Sequence, residues 1–182
     1  LVPVQKLFHG LRGNSVEGSR ENIRDHYDIG NDFFKLFLDE TMMYSSAIFE
    51  DPETALKDAS LKKLSTVCQR LRLSPQDHLM EIGTGWGSLA ITAARDYGCK
   101  VTTTTISKEQ YDYAREKVRE ANLEHKVDVI CEDYRNLKGQ YDRLVSIEMI
   151  EAVGLDNLDQ YFNKCSSLLK DTGLMVLQAI TI

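Results

Sequence analysis

The sequence has only three prolines in 182 residues, and it contains no repeat, low-complexity tract or proline-rich stretch, which excludes fibrous and linker-dominated architectures. No run of about eighteen apolar residues is present, so no segment reads as a transmembrane helix, and no charged-then-apolar stretch opens the chain as a secretory signal. Positive charge is in deficit: 22 Lys and Arg face 28 Asp and Glu. The net charge of −6 argues against a surface built to coat nucleic acid. Contact with an anionic membrane would need a local patch, and Lys6, Arg12, Arg20 and Arg24 offer a weak one, offset by Glu17 and Glu21. Cys68, Cys99, Cys131 and Cys165 stand about thirty residues apart, with no CxxC pair. That spacing excludes common zinc and redox motifs and predicts reduced, mostly buried thiols in a cytoplasmic protein with no metal site.

What is present is the balance of one globular domain with a sizeable core, 42% apolar and 27% charged. Residues 1–24 read as an irregular lead-in. Residues 25–60 mix aromatics with acids, and Asn31 or Asp32 caps a short helix through Phe33, Phe34, Phe37 and Leu38. Three- and four-residue apolar steps predict a helix from Asp51 to Leu73. Strands and helices then alternate: strands at residues 78–82, 100–106, 127–131, 141–147 and 173–182, and helices at residues 88–97, 108–122 and 158–169. Alternation of this kind predicts an α/β fold with a mostly parallel sheet of order 3-2-1-4-5. We expect a helical cap within residues 1–60 and a nucleoside-binding core over residues 61–182, and a chain that stops on its fifth strand reads as a piece of a longer protein.

The first strand ends in Glu81-Ile-Gly83-Thr-Gly85-Trp-Gly87 and opens a helix. Glycines there permit a tight turn and close approach of a ligand to the backbone, at the sheet edge where parallel folds place their ligands. A nicotinamide dinucleotide site calls for GxGxxG and an acid at the end of the next strand. Here the third glycine comes one residue early, and Thr103, Thr104, Thr105, Ile106 and Ser107 stand where the acid would be. Together with Glu81 ahead of the first glycine, this points to S-adenosylmethionine as the cofactor and to a Rossmann-like class I methyltransferase.

Further motifs are more specific. His26-Tyr-Asp-Ile-Gly-Asn-Asp-Phe-Phe34, Leu38-Asp39 and Met42-Met-Tyr-Ser-Ser-Ala47 precede the glycine loop; Thr105-Ile-Ser-Lys-Glu-Gln110, Asp133-Tyr-Arg135, Asp142-Arg143 and Ile150-Glu-Ala-Val-Gly154 follow it. Over residues 20–180 the chain resembles the cyclopropane fatty acid synthase and mycolic acid cyclopropane synthase family. The resemblance implies S-adenosylmethionine-dependent methyl(ene) transfer to the double bond of an unsaturated phospholipid acyl chain, forming a cyclopropane ring. It implies cofactor contacts from Tyr44 and Ser45, which close over the sulfonium, and from Gly83, Gly85, Thr105, Ile106, Gln110, Tyr134 and Ile147.

The alkene is a poor nucleophile, and after methylation a proton must leave the new methyl group before the ring can close. In the family a bound bicarbonate takes it. Glu151 matches one of its holders and Ile180 the backbone-amide position; the usual Cys and His are Ser46 and Gln178 here, and the usual His after the Glu is Ala152. The catalytic set implied is therefore Glu151, Ser46, Gln178 and Ile180. His26 reads as structural, Phe33, Phe34 and Phe37 as core or acyl-tunnel lining, Trp86 as a cofactor cover or a packing residue, Glu148 as a capping or solvated acid, and His9, His78 and His125 as surface residues. Alternatives stay open: a methyl-branched lipid product, a small-molecule amine substrate, or a cofactor-binding but inactive fragment. The expected setting is the cytoplasm, peripheral to the inner face of the membrane, with phospholipid acyl chains as partners, no nucleic acid, and a homodimer as a candidate assembly.

Overall fold

β-branched and aliphatic runs form the strands, and glycine-bearing or charged stretches form what joins them. The computed structural model describes residues 31–181. Its elements run α1 (Asn31–Phe34), α2 (Leu56–Arg70), β1 (His78–Ile82), α3 (Ser88–Asp96), β2 (Lys100–Thr105), α4 (Lys108–Glu120), β3 (Val127–Cys131), β4 (Tyr141–Ile147), α5 (Leu158–Leu168) and β5 (Leu169–Gln178). Single 3-10 turns lie at Tyr134–Asn136, Ile150–Ala152 and Leu155–Asn157. The sheet order is β3-β2-β1-β4-β5 with every neighbouring pair parallel, the order anticipated from the alternation. The chain walks outward from β1 to β3 and then returns to β4 on the other side, so the order reverses between β1 and β4. A crevice opens at the carboxyl ends of these two strands.

β1 is central and buried on both faces. Leu79 joins the core under α2, α3 and α4, with Leu64, Val67, Leu89 and Val101. Met80 and Ile82 join the opposite core under α5, with Leu144, Tyr161 and Leu168. Strand alternation places Glu81 on the Leu79 side, where it is fully enclosed.

Several expected boundaries move. α2 begins at Leu56 rather than Asp51, because the Asp51 carboxylate accepts from Glu53 N (2.8 Å) and its carbonyl from Thr54 N (3.0 Å), closing a turn at Pro52. The anticipated domain boundary at residue 60 falls inside this helix, where Ala59 and Ser60 are buried and Ser60 Oγ donates to Asp39 at 2.9 Å. β5 starts at Leu169, directly after α5, and ends at Gln178. In the described part of the cap, α1 covers one turn, Asn31–Phe34, and residues 39–50 form an irregular strap. That strap is pinned by its own side chains and by α3. Asp39 accepts from Thr41 N (2.7 Å), Ser88 Oγ donates to the Thr41 carbonyl, and Met42 is buried with a positive φ of 53°. The basic lead-in, His9 and His26 lie outside the described residues.

Candidate active site

The β1–α3 turn shapes the floor of the crevice. Gly83 and Gly85 have φ of 100° and 52°, conformations L residues rarely adopt. A Cβ on Gly85 would sit 3.6 Å from the Tyr44 ring, and one on Gly83 3.5 Å from Met149. Gly87 serves packing instead: φ is 92°, and a Cβ there would press to 3.2 Å of Ala114 on α4. Behind the turn, Glu81 accepts from Thr103 Oγ1 at 2.6 Å, and Thr84 Oγ1 bonds Thr103 at 2.7 Å. Burial pushes the Glu81 carboxyl up to about 8, only partly opposed by the Thr103 hydroxyl, so it is largely protonated at neutral pH.

The crevice is a cleft of about 600 Å³. Of the residues assigned to the cofactor from sequence, Tyr44, Gly83, Gly85 and Ile147 line it beside the turn. Thr105, Ile106 and Gln110 line it at the end of β2, and Tyr134 at the end of β3. At the β2 end Ser107 caps α4 by accepting from Gln110 N (3.2 Å), and Thr105 Oγ1 donates to Gln110 Oε1 (2.8 Å). Gln110 Nε2 is buried without a protein acceptor. An orphaned donor on a cleft wall fits a polar ligand that brings an acceptor, as a nucleoside cofactor does. Across the cleft, buried Asp133 caps the turn after β3 and pairs with Arg135, whose guanidinium lies 5.7 Å from the Tyr134 ring centre. Tyr134 in turn packs edge-on against Tyr161.

Ser45 is the exception among the cofactor residues. It is turned into the protein, where Lys63 Nζ donates to its hydroxyl (2.5 Å) and carbonyl (3.3 Å), and it lines a small cavity of about 30 Å³ that adjoins the cleft through Tyr44, Gly83, Gly85 and Ile147. Trp86 is buried between Phe34 (centroids 4.8 Å) and Tyr44 (5.1 Å), so its role here is packing. Phe33 and Phe37 remain about half exposed beside it.

The four residues assigned to catalysis arrive as two pairs at the carboxyl edge. Gln178 Nε2 donates to Ser46 Oγ (3.1 Å), and Ile180 N donates to Glu151 Oε1 (2.6 Å). Glu151 lines the cleft. Between Ser46 and Gln178 stands Glu148, read from sequence as a capping or solvated acid. Instead its Oε1 accepts from Ser46 N (3.1 Å), Ser46 Oγ (3.1 Å) and Gln178 Nε2 (2.7 Å), while its backbone holds a positive φ of 47°. The donors that the resemblance assigns to a bicarbonate are thus engaged by carboxylates. An added anion beside Glu148 and Glu151 would meet like charge with its donors already used, so the arrangement does not fit one.

Two other readings change. His78 is half-buried, bonding Thr102 Oγ1 through Nε2 at 2.9 Å and packing on Tyr141, because it opens the central strand β1 between β2 and β4; His125 is exposed as expected. Lys63 has the charge of a surface residue, yet a helical step from Ser60 through Lys63 and Leu64 to Val67 puts it on the buried face of α2. Three of the four cysteines are buried and Cys131 is exposed. No helix among the described residues is long and apolar enough to cross a membrane.

Residues 14–182 match the family described as mycolic acid cyclopropane synthetase. A probable fatty acid methyltransferase of Pseudomonas putida is 40% identical over 98% of this chain and 45% of its own length. The cyclopropane-fatty-acyl-phospholipid synthase of Escherichia coli strain K12 is 40% identical over 86% of this chain and 40% of its own. The chain therefore spans less than half the length of either relative. The crystal structure of a mycolic acid cyclopropane synthase complexed with SAH and CTAB superimposes with a TM-score of 0.83, at 32% identity, over 87% of this chain and 55% of that one.

Proposed function

Because this chain belongs to the mycolic acid cyclopropane synthetase family, we propose that it forms the cofactor-binding part of an S-adenosylmethionine-dependent enzyme that alkylates the double bond of an unsaturated phospholipid acyl chain. The observation that carries the reading is the joint placement of the orphaned Gln110 amide, the Gly83–Gly85 turn and Glu151 on one cleft. Gln110 and Thr105 would hold the nucleoside, the glycine turn would admit its amino-acid end, and Tyr44 would cover it from the strap. Bound there, S-adenosylmethionine supplies a sulfonium-activated methyl group. Glu151, with one carboxylate oxygen held by Ile180 N, has the other with which to take the proton whose loss closes a cyclopropane ring. The half-exposed aromatics Phe33 and Phe37 beside the strap suit an acyl chain approaching from a membrane surface.

The engaged donors at Ser46 and Gln178 favour a second product, a methylated chain without a ring. The test is to give the intact protein unsaturated phospholipid vesicles and labelled cofactor, then weigh the acyl chains. Gain of CH2 with loss of the alkene identifies the ring; the same gain with an alkene retained identifies the branched product; no labelled lipid sinks the reading. Glu151→Gln should cut turnover roughly ten- to hundredfold while cofactor affinity stays within a few fold.

A further inference from the structure

We propose that Lys63 is a positioning residue whose buried ammonium clamps the Tyr44–Ser46 strap onto the glycine turn, so that closure of the strap follows the charge on this one lysine. The inference rests on the reading of the cleft as the cofactor site. Lysine is rarely enclosed unless paired, yet Lys63 is 1% exposed and forms no ion pair among the described residues. Its two hydrogen bonds both go to Ser45, the residue between Tyr44, whose ring abuts Trp86 and Gly85, and Ser46, which binds Glu148. Contacts from the core hold the strap along its length: Ser60 on Asp39, Ser88 on Thr41, Lys63 on Ser45, Glu148 on Ser46 and the Ala59 carbonyl on Ile48 N. Lys63 is the buried cation among them, and it comes from the helix on which the cap meets the core.

The charged groups acting on Lys63 are Glu148, from the end of β4, and Asp39, from the strap; both favour the ammonium, while burial opposes it and outweighs them. The amine is lowered to about 8, so its charge changes close to neutral pH. Below that pH the ammonium draws Glu148 and Asp39 together around Ser45. Above it the attraction is gone and the strap is held by weaker neutral contacts.

Trp86, the only tryptophan in the chain, touches Tyr44 and reports strap position by its emission. The experiment is a fluorescence titration of the intact protein from pH ~6 to ~9.5, with calorimetry of S-adenosylhomocysteine at both ends, on wild type, Lys63→Met, Lys63→Arg and Glu81→Gln. Wild type should show an emission step near pH 8 and bind the thioether about three- to tenfold more weakly at the alkaline end, the scale of exchanging one charge-assisted contact for a neutral one. Lys63→Met should lack the step and bind weakly at both ends; Lys63→Arg should lack the step and keep acid-side affinity. Glu81 titrates in the same range, so Glu81→Gln should retain the step. A step that survives in Lys63→Met, or disappears in Glu81→Gln, overturns the clamp. If Lys63→Met does not fold, absence of a step in wild type or its persistence in Lys63→Arg does so. Failure of the wild type to bind the thioether at any pH would instead overturn the cofactor reading, with the emission step still deciding the clamp.

Discussion

Replacing Gln110 with leucine separates binding from stability, because the side chain's two ends have opposite circumstances in the free protein. Its Oε1 accepts from Thr105 at 2.8 Å, while its Nε2 is buried with no partner. Leucine of similar size removes both. Stranding the Thr105 hydroxyl costs about 1–3 kcal/mol, and eliminating an unsatisfied buried amide recovers a similar amount, so the net change in stability should be within about 1 kcal/mol. The ligand gains no such compensation. If the Nε2 donor meets an acceptor on the nucleoside, losing that neutral hydrogen bond costs about 0.5–1.5 kcal/mol, or roughly a two- to twelvefold rise in Kd. Calorimetry with S-adenosylhomocysteine beside a thermal melt reads both quantities. Unchanged affinity refutes the assignment of Gln110 to the ligand. Affinity and stability falling together refute the argument from the orphaned amide, since the variant would then be acting through the fold.

The Glu81 carboxyl, raised from its ordinary 4.5 to about 8, keeps a proton in the folded state that the unfolded chain releases. Stability should therefore fall as pH rises across that window, and Glu81→Gln should abolish the fall; parallel melting-temperature profiles for the two proteins would contradict this. Gly87→Ala should cost about 1–2 kcal/mol, from the left-handed backbone and the contact with Ala114, and an unchanged melting temperature would refute it. A thiol reagent should modify Cys131 rapidly in the native protein and Cys68, Cys99 and Cys165 only on unfolding, as read by peptide mass; equal rates would contradict the burial.

The sheet was legible because each strand carries its own signal: Thr102 to Thr105 can be buried in a strand without losing β-branching, and a glycine turn after Ile82 fixes where the first strand ends. The walls of the cleft were legible for a related reason, since strand ends and the turns after them are local in sequence. The carboxyl-edge cluster was only half legible. Ser46 and Gln178 could be named by resemblance, but the carboxylate joining them could not, because Glu148 reads like any acid after a strand until a positive φ turns it toward residues 102 positions before it and 30 after it. Lys63 was missed for a different reason: beside Lys62, it has the look of a solvated helix surface. Its burial depends on the strap lying across α2, and local pattern carries no term for that.

The hydrogen bonds at Glu148 also bear on the order in which the protein assembles. Ser46 and Gln178, bonded across that carboxylate, are 132 residues apart, so the cluster cannot exist until nearly the whole described chain has been laid down and both remote segments have found the same strand end. Closing so large a loop costs chain entropy that a few solvent-accessible hydrogen bonds cannot repay by themselves, whereas β1, β2 and the helix between them meet across only about twenty residues. The half of the sheet that lines the nucleoside end of the cleft can therefore form early and locally, while the carboxyl-edge cluster is completed late. In amide exchange on the native protein, Ser46 N and Ile180 N should open at lower free energy than the amides of β1, leaving a molecule that retains its fold while its carboxyl-edge cluster comes apart.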